Sequence, residues 1–124
     1  MKHLNKPMLF GATANAERSR EFYERVLGLE FVSEDPFALV FRIGESMLRI
    51  QKVKEVRVLP YTALGWEVSD IRQVVRDLRA AGVEFQRYEG LGQDSDGIWS
   101  APSGALVAWF KDPDGHVLSL TQLP

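Results

Sequence analysis

The chain has no cysteine among its 124 residues. Disulfides, thiolate metal sites and a cysteine nucleophile are therefore excluded, and the redox compartment stays open. No apolar run is long enough to span a bilayer, and the opening Met-Lys-His-Leu-Asn-Lys-Pro lacks the apolar core of a signal peptide. Neither sign of charge dominates. Charged residues make up 26% of the chain and the formal net charge is -2, so no basic footprint points to nucleic acid or an anionic membrane. No phosphate-cradling glycine pattern sits between a strand and a helix, and no serine has a histidine near it as a base. What is present is 45% hydrophobic content, enough for a real core in one domain. A soluble, cytoplasmic protein is the expectation.

The apolar pattern repeats. Ser19, Phe22, Tyr23, Val26 and Leu27 recur at helical spacing over residues 16 to 27, with Asn15 as N-cap and Gly28 as the left-handed residue that ends the helix. Ser69 or Asp70 opens a second helix with the stripe Ile71, Val74, Val75 and Leu78, and Gly82 closes it. Each glycine starts a similar strand, "GLEF" from Gly28 and "GVEF" from Gly82. "ALVFRIGESMLRIQ" (residues 38 to 51) and "ALVAWFKDPDGHVLSLTQ" (residues 105 to 122) both read as strand, turn, strand, and in the second Asp112-Pro113-Asp114-Gly115 forms the turn. Short strands, Pro7 to Thr13 and Tyr61 to Val68, precede the helices. The order is β-α-β-β-β twice, so the fold class is α+β, with modules at about 4–52 and 61–122 and a charged linker at about 53–60. One domain spanning residues 1–124 is expected.

Each module sets a helix over one face of a small sheet, so alternation sorts the strand residues. Leu48 and Ile50 should pack on a helix while Met47, Arg49 and Gln51 point away. Leu64, Trp66 and Val68 should pack while Ala63, Gly65 and Glu67 point away. Leu118 and Leu120 should pack while Ser119 and Thr121 point away. If the two sheets curve toward each other, these second faces line one cup.

"FYERVLGL" (Phe22 to Leu29), the repeated helix ending at Gly82, and "DPDGH" (Asp112 to His116) make the sequence resemble the vicinal oxygen chelate superfamily. That group holds glyoxalase I, the bleomycin- and fosfomycin-resistance proteins and the extradiol dioxygenases. The resemblance implies two βαβββ modules forming a curved mixed-sheet cup, and relatives of this length imply a homodimer. Metal-dependent members place four His, Gln or Glu ligands on inward strand positions. The resemblance puts those positions on Met8, Arg49, Ala63 and Ser119, none of them a usual ligand for a divalent cation. Arg49 would also set a permanent positive charge where the cation should sit. His3 lies too far before Met8, His116 belongs to the turn at the rim, and Glu67 stands alone. An unexpected site from His3, Glu67 and a third group is the weaker alternative.

The inward residues suit a small molecule better. Arg49 is either an anchor for a carboxylate or phosphate, or a partner for Glu67 across the cup. Trp109 falls where the resemblance to fosfomycin-resistance proteins implies an aromatic that touches ligand, although core filling is an equal reading. Met8, Phe10 and Met47 share inward parity and make the rest of the cup apolar, with Ser119 among its polar groups. The loop 90–105, rich in Gly, Ser and Asp, carries Trp99, which either covers the mouth or pins the loop. The expectation is a metal-free, cofactor-free small-molecule binding protein of the glyoxalase/bleomycin-resistance type, with no nucleic-acid or membrane partner. The alternatives are an enzyme, either a metal-free isomerase or lyase with Glu67 as base or a glyoxalase/dioxygenase type with an atypical metal site, and a protein whose decayed pocket leaves only association. A nearby Arg49 would lower rather than raise the pKa of Glu67, which favours binding over catalysis.

Overall fold

The computed structural model describes residues 1–124. Two compact units divide the chain, Met1–Arg57 and Val58–Pro124, and the division falls within the charged stretch 53–60. In the first unit β1 (Met8–Thr13) leads into α1 (Ala16–Arg20), which continues as a π-helical turn over Glu21–Val26. Then come β2 (Glu30–Glu34), β3 (Ala38–Ile43) and β4 (Ser46–Lys52). In the second unit the order is β5 (Thr62–Glu67), α2 (Ile71–Ala80), a short β6 (Trp99–Ser100), β7 (Leu106–Lys111) and β8 (Val117–Gln122). Each unit forms one four-stranded mixed sheet, ordered β1-β4-β3-β2 and β5-β8-β7-β6. Two βαβββ modules are the result. No helix is long and apolar enough to cross a membrane.

The caps form as the residue types require. The Asn15 side-chain oxygen accepts a hydrogen bond from the Arg18 N–H at 3.1 Å, and Asp70 accepts from the Gln73 N–H at 3.2 Å. Gln122 adds a second acceptor at the start of α2, 2.9 Å from the Ile71 N–H. Gly28 and Gly82 end the helices with φ of +71° and +96°. The first helix differs from a plain α-helix because the Leu27 N–H reaches back five residues to the Phe22 carbonyl at 3.0 Å.

Alternation along the strands builds one buried face per module. In the first, Leu39, Phe41, Leu48 and Ile50 are buried with Tyr23 of the helical segment, whose ring lies 5.9 Å from that of Phe41. In the second, Ala108, Phe110, Leu118 and Leu120 are buried with Ile71, Val75 and Leu78 of α2, which packs on β7 and β8. Fully burying side chains of this size contributes about 1.5–3 kcal/mol each. Trp66 and Leu64 point toward the same core and are half-buried.

Two expectations need correction. "GVEF" does not make a strand: only Phe85 bridges to β7, opposite Phe110. The backbone that would have continued the ladder is satisfied by side chains instead. Gln93 donates to the carbonyls of Gln86 (3.0 Å) and Gly97 (2.7 Å) and accepts from the Tyr88 N–H (2.7 Å). The strand that completes the edge is Trp99–Ser100, paired with Val107 and Leu106, inside a stretch read as loop. The second correction is at Ala63. The ladder slips between Thr62 and Leu64, so Thr62 rather than Ala63 pairs with Val117, on the face of Ser119.

Ser19 is buried in α1 at 1% exposure, and its hydroxyl has no hydrogen-bond partner. Such a group costs about 1–3 kcal/mol of desolvation. Ser19→Ala removes that cost and improves helix propensity. The expected outcome is a gain of about 1 kcal/mol, read as a rise of the thermal midpoint by about 3–5 °C. A lower midpoint would show that the hydroxyl is satisfied in solution.

Candidate functional site

The helix covers one face of each sheet, and the chemistry of interest stands on the other. In the first module parallel pairing aligns Met8 with Met47 and Phe10 with Arg49, and antiparallel pairing aligns Arg49 with Val40 and Met47 with Arg42. Paired residues share a face, so Met8, Phe10, Met47 and Arg49 come together on one surface. Met8 and Phe10 are about half exposed, at 50% and 56%, and Met47 and Arg49 are partly covered.

Several charges of this module are paired. Arg42 meets Glu30 at 3.0 Å, Lys52 meets Glu34 at 2.6 Å, and on the helical segment Arg20 meets Glu24 at 3.1 Å. Arg49 makes no ion pair within its module. Asp35, at the turn before β3, accepts from the N–H groups of Phe37 (2.7 Å) and Ala38 (2.9 Å). Those two hydrogen bonds hold its carboxyl below the usual carboxylate range, and the positive charges of Arg49 and Lys52 add to the effect. Asp35 is thus occupied by backbone, and Arg49 keeps its donors.

In the second module the open face carries Glu67, Ser119 and Trp109. The row Gly65–Ser119–Trp109 crosses three strands, and the row Glu67–Thr121–Val107–Trp99 crosses four. Ser119 is buried at 7% exposure, while Glu67 is exposed. Gly65 is required by the close approach of β8: a Cβ there would lie 2.6 Å from the Ser119 hydroxyl and 3.3 Å from its carbonyl oxygen. Trp109 points away from the core that Phe110 fills. Its ring lies 6.1 Å from that of Trp99 and 5.4 Å, edge to face, from that of Tyr88. Tyr88 was not foreseen. It follows Gln86, whose N–H bonds the Trp109 carbonyl at 2.8 Å, and an isolated Tyr in an irregular segment gives no periodic signal.

Arg49 therefore belongs to the first module and Glu67 to the second. The four positions that resemblance assigns to metal ligands hold a thioether, a guanidinium, a methyl group and a hydroxyl. No group of three His, Cys, Asp or Glu side chains is placed to hold a metal ion. These residues do not fit a divalent cation. His116 belongs to the turn, its N–H bonded to Asp112 at 2.9 Å.

A separate cleft of about 630 Å³ lies beside the C-terminal end of α2, lined by Arg79, Glu84, Arg87 and Asp96 among others. Its cations are already engaged. Arg87 donates to the carbonyls of Asp94 (2.9 Å) and Ser95 (2.7 Å), and Arg79 meets Asp96 at 3.4 Å. Partial burial works against ionisation of the neighbouring Asp94. Hydrogen bonds from the N–H of Ile98, from Arg72 and from the N–H of Asp96 outweigh it and lower its pKa. The cleft is lined by the 82–87 and 95–97 stretches and offers no free cation to a ligand.

Comparison with known proteins agrees with this architecture. Solved structures with the same fold include a glyoxalase family protein from Enterococcus faecalis (TM-score 0.75, 22% identity, covering 98% of this chain and 99% of that one). A lactoylglutathione lyase from Agrobacterium tumefaciens matches with TM-score 0.72 and 15% identity over 96% and 95% of the two chains. An integron cassette protein from the mobile metagenome of a Halifax Harbour sewage outfall matches with TM-score 0.72 and 22% identity over 97% and 99%. At these identities the likeness is one of fold. No curated protein matches. The family model described as Glyoxalase/Bleomycin resistance protein/Dioxygenase superfamily matches residues 9–120. With nearly the whole chain matched and two βαβββ modules in place, the protein belongs to that superfamily.

Proposed function

We propose that this chain is a metal-free, cytoplasmic small-molecule binding protein of the glyoxalase/bleomycin-resistance type, whose ligand is anionic or aromatic and lies on an open sheet face. The observation that carries this reading is Arg49. Arg49 sits on β4 between Phe10 and Val40 in the ladder and two residues from Met47, so several of its neighbours on that face are apolar, with the Arg42–Glu30 pair farther along. It makes no direct ion pair with a carboxylate of its own module, Asp35 acting on it only through charge, whereas Arg42 and Lys52 each have a paired carboxylate. A planar fork with free donors amid apolar groups fits a small organic acid: a carboxylate for the fork, a hydrocarbon body for Phe10 and Met47.

Arg49→Ala is expected to weaken binding of a carboxylate probe such as cyclohexanecarboxylate by about ten- to a hundredfold, the loss of one charge-assisted contact worth about 1.5–3 kcal/mol. Titration calorimetry checks it. Equal affinity in the two proteins, or loss of thermal stability in the ligand-free variant, would assign Arg49 a structural role.

Metal content is a second check. With Met8, Arg49, Ala63 and Ser119 in the four positions, mildly purified protein should contain no stoichiometric zinc, nickel, iron or manganese. About one such ion per chain by elemental analysis would overturn the metal-free reading.

Assembly as a homodimer is also part of the proposal. Met8 and Phe10 are half exposed on an open face, and Phe37 and Tyr61 are 75% and 62% exposed. A second copy covering such groups recovers about 1.5–3 kcal/mol for each large side chain fully buried. Light scattering at micromolar concentration should give twice the 14.0 kDa chain mass, and a monomer would sink the idea.

A further inference from the structure

The two open faces are not alike, and the difference lies at the edge of the second sheet. There the fourth strand is broken. Phe85 pairs opposite Phe110, Trp99 pairs opposite Val107, and residues 87–98 leave the sheet between them. The detour brings two more rings to Trp109, Tyr88 from one end and Trp99 from the other. Core filling does not account for them. The core below is occupied by Phe85, Phe110 and Ile98, and of the three rings Trp99 and Trp109 are only half-buried while Tyr88 is 40% exposed.

We infer that Tyr88, Trp99 and Trp109 form a ring-recognition subsite, and that its ligand carries a planar aromatic or heteroaromatic ring with a hydrogen-bonding edge. This deepens, and rests on, the small-molecule reading above. The wall is preorganised: β7 holds Trp109, pairing with Val107 holds Trp99, and the Gln93 side chain fixes the Tyr88 N–H at 2.7 Å. The floor beside it is flat. From Trp109 it runs across Ser119 to Gly65, two strand spacings or about 10 Å, the length of two fused rings. Gly65 adds no side chain to that strip, and the Ser119 hydroxyl lies 2.6 Å from where a Cβ of residue 65 would stand. A flat ring on Trp109 can extend over the strip and exchange a hydrogen bond with Ser119. The corresponding row of the first module, Phe10–Arg49–Val40–Ser33, offers a charge and one ring rather than a cluster of three.

The test uses uncharged 2-naphthol, which gives Arg49 no anion to pair with, and its saturated counterpart decahydro-2-naphthol. Binding is followed through the indole N–H signals in ¹H–¹⁵N spectra. The signals of Trp99 and Trp109 should shift saturably on adding 2-naphthol, with that of core-facing Trp66 as internal reference. Decahydro-2-naphthol should bind at least about fivefold more weakly, and Tyr88→Leu and Trp99→Leu should each weaken 2-naphthol by about fivefold. Tyr88→Phe, which keeps the ring, should retain binding. Equal affinity for the flat and saturated probes, unmoved indole signals, or wild-type affinity in the folded leucine variants would overturn the inference. If a leucine variant does not fold, the two probes on the wild-type protein still decide. Loss of cyclohexanecarboxylate binding in Arg49→Ala, together with no 2-naphthol binding by the wild type, would leave the Arg49 reading standing and remove only the ring subsite.

Discussion

Each sheet of this protein is covered by a helix on one side only, and that constraint organises everything else. With a period of two, every residue committed to the core face sends its neighbours to the open face. Burying Leu48 and Ile50 at 1% and 2% exposure places Met47 and Arg49 opposite, and burying Leu118 and Leu120 places Ser119 there. The functional surface is thus the complement of the core. A one-residue slip in β4 would bury a guanidinium and expose two aliphatic side chains, so the register of the site is held by the hydrophobic effect acting on its back.

Within that common frame the modules diverge where the frame permits it. Neither open face makes the core, so their residues are free to differ. The first module concentrates charge at Arg49 among Phe10, Met8 and Met47. The second has a glycine and a buried hydroxyl beside a tryptophan. The larger change is at the sheet edge, where a ladder can be interrupted without opening the core. Gln93, Arg87 and Asp94 take over the hydrogen bonding that the missing strand residues would have supplied, Asp94 accepting from the N–H groups of Asp96 (2.9 Å) and Ile98 (3.0 Å). The segment is tied down by side chains, and it can therefore present Tyr88 and Trp99 in set positions.

The electrostatics follow the same division of labour. Several surface carboxylates, Glu24, Glu30, Glu34 and Asp94 among them, are matched by cations at 2.6–3.1 Å, and the two aspartates with lowered pKa values, Asp35 and Asp94, owe much of the shift to backbone N–H groups. Such pairs stabilise turns and edges modestly. Arg49 has no ion pair in its own module and stands on a strand with Phe10 and Val40 as its ladder neighbours.

Much was legible in the chain alone. Helical spacing with Asn15 and Asp70 as caps, glycines at the helix ends, and alternation on the hairpin strands are local signals, each set by backbone geometry and by the need to bury one face. They suffice to derive two βαβββ modules and to place Met8, Phe10, Met47 and Arg49 on one face and Glu67 and Ser119 on another, whereas the face of Trp109 was not fixed by alternation alone. The tertiary structure alone decided the rest. The strand read at "GVEF" shrinks to a single bridge because distant side chains, Gln93 above all, satisfy its backbone. The bulge at Ala63 moves Thr62 onto the face of Ser119. Tyr88 and Trp99, eleven residues apart in an aperiodic segment, meet Trp109 only because both ends of a broken strand pair with β7. Alternation and capping act between neighbours and can be read from a list of residues; edge pairing and ring contacts depend on where the chain returns, which local spacing does not encode.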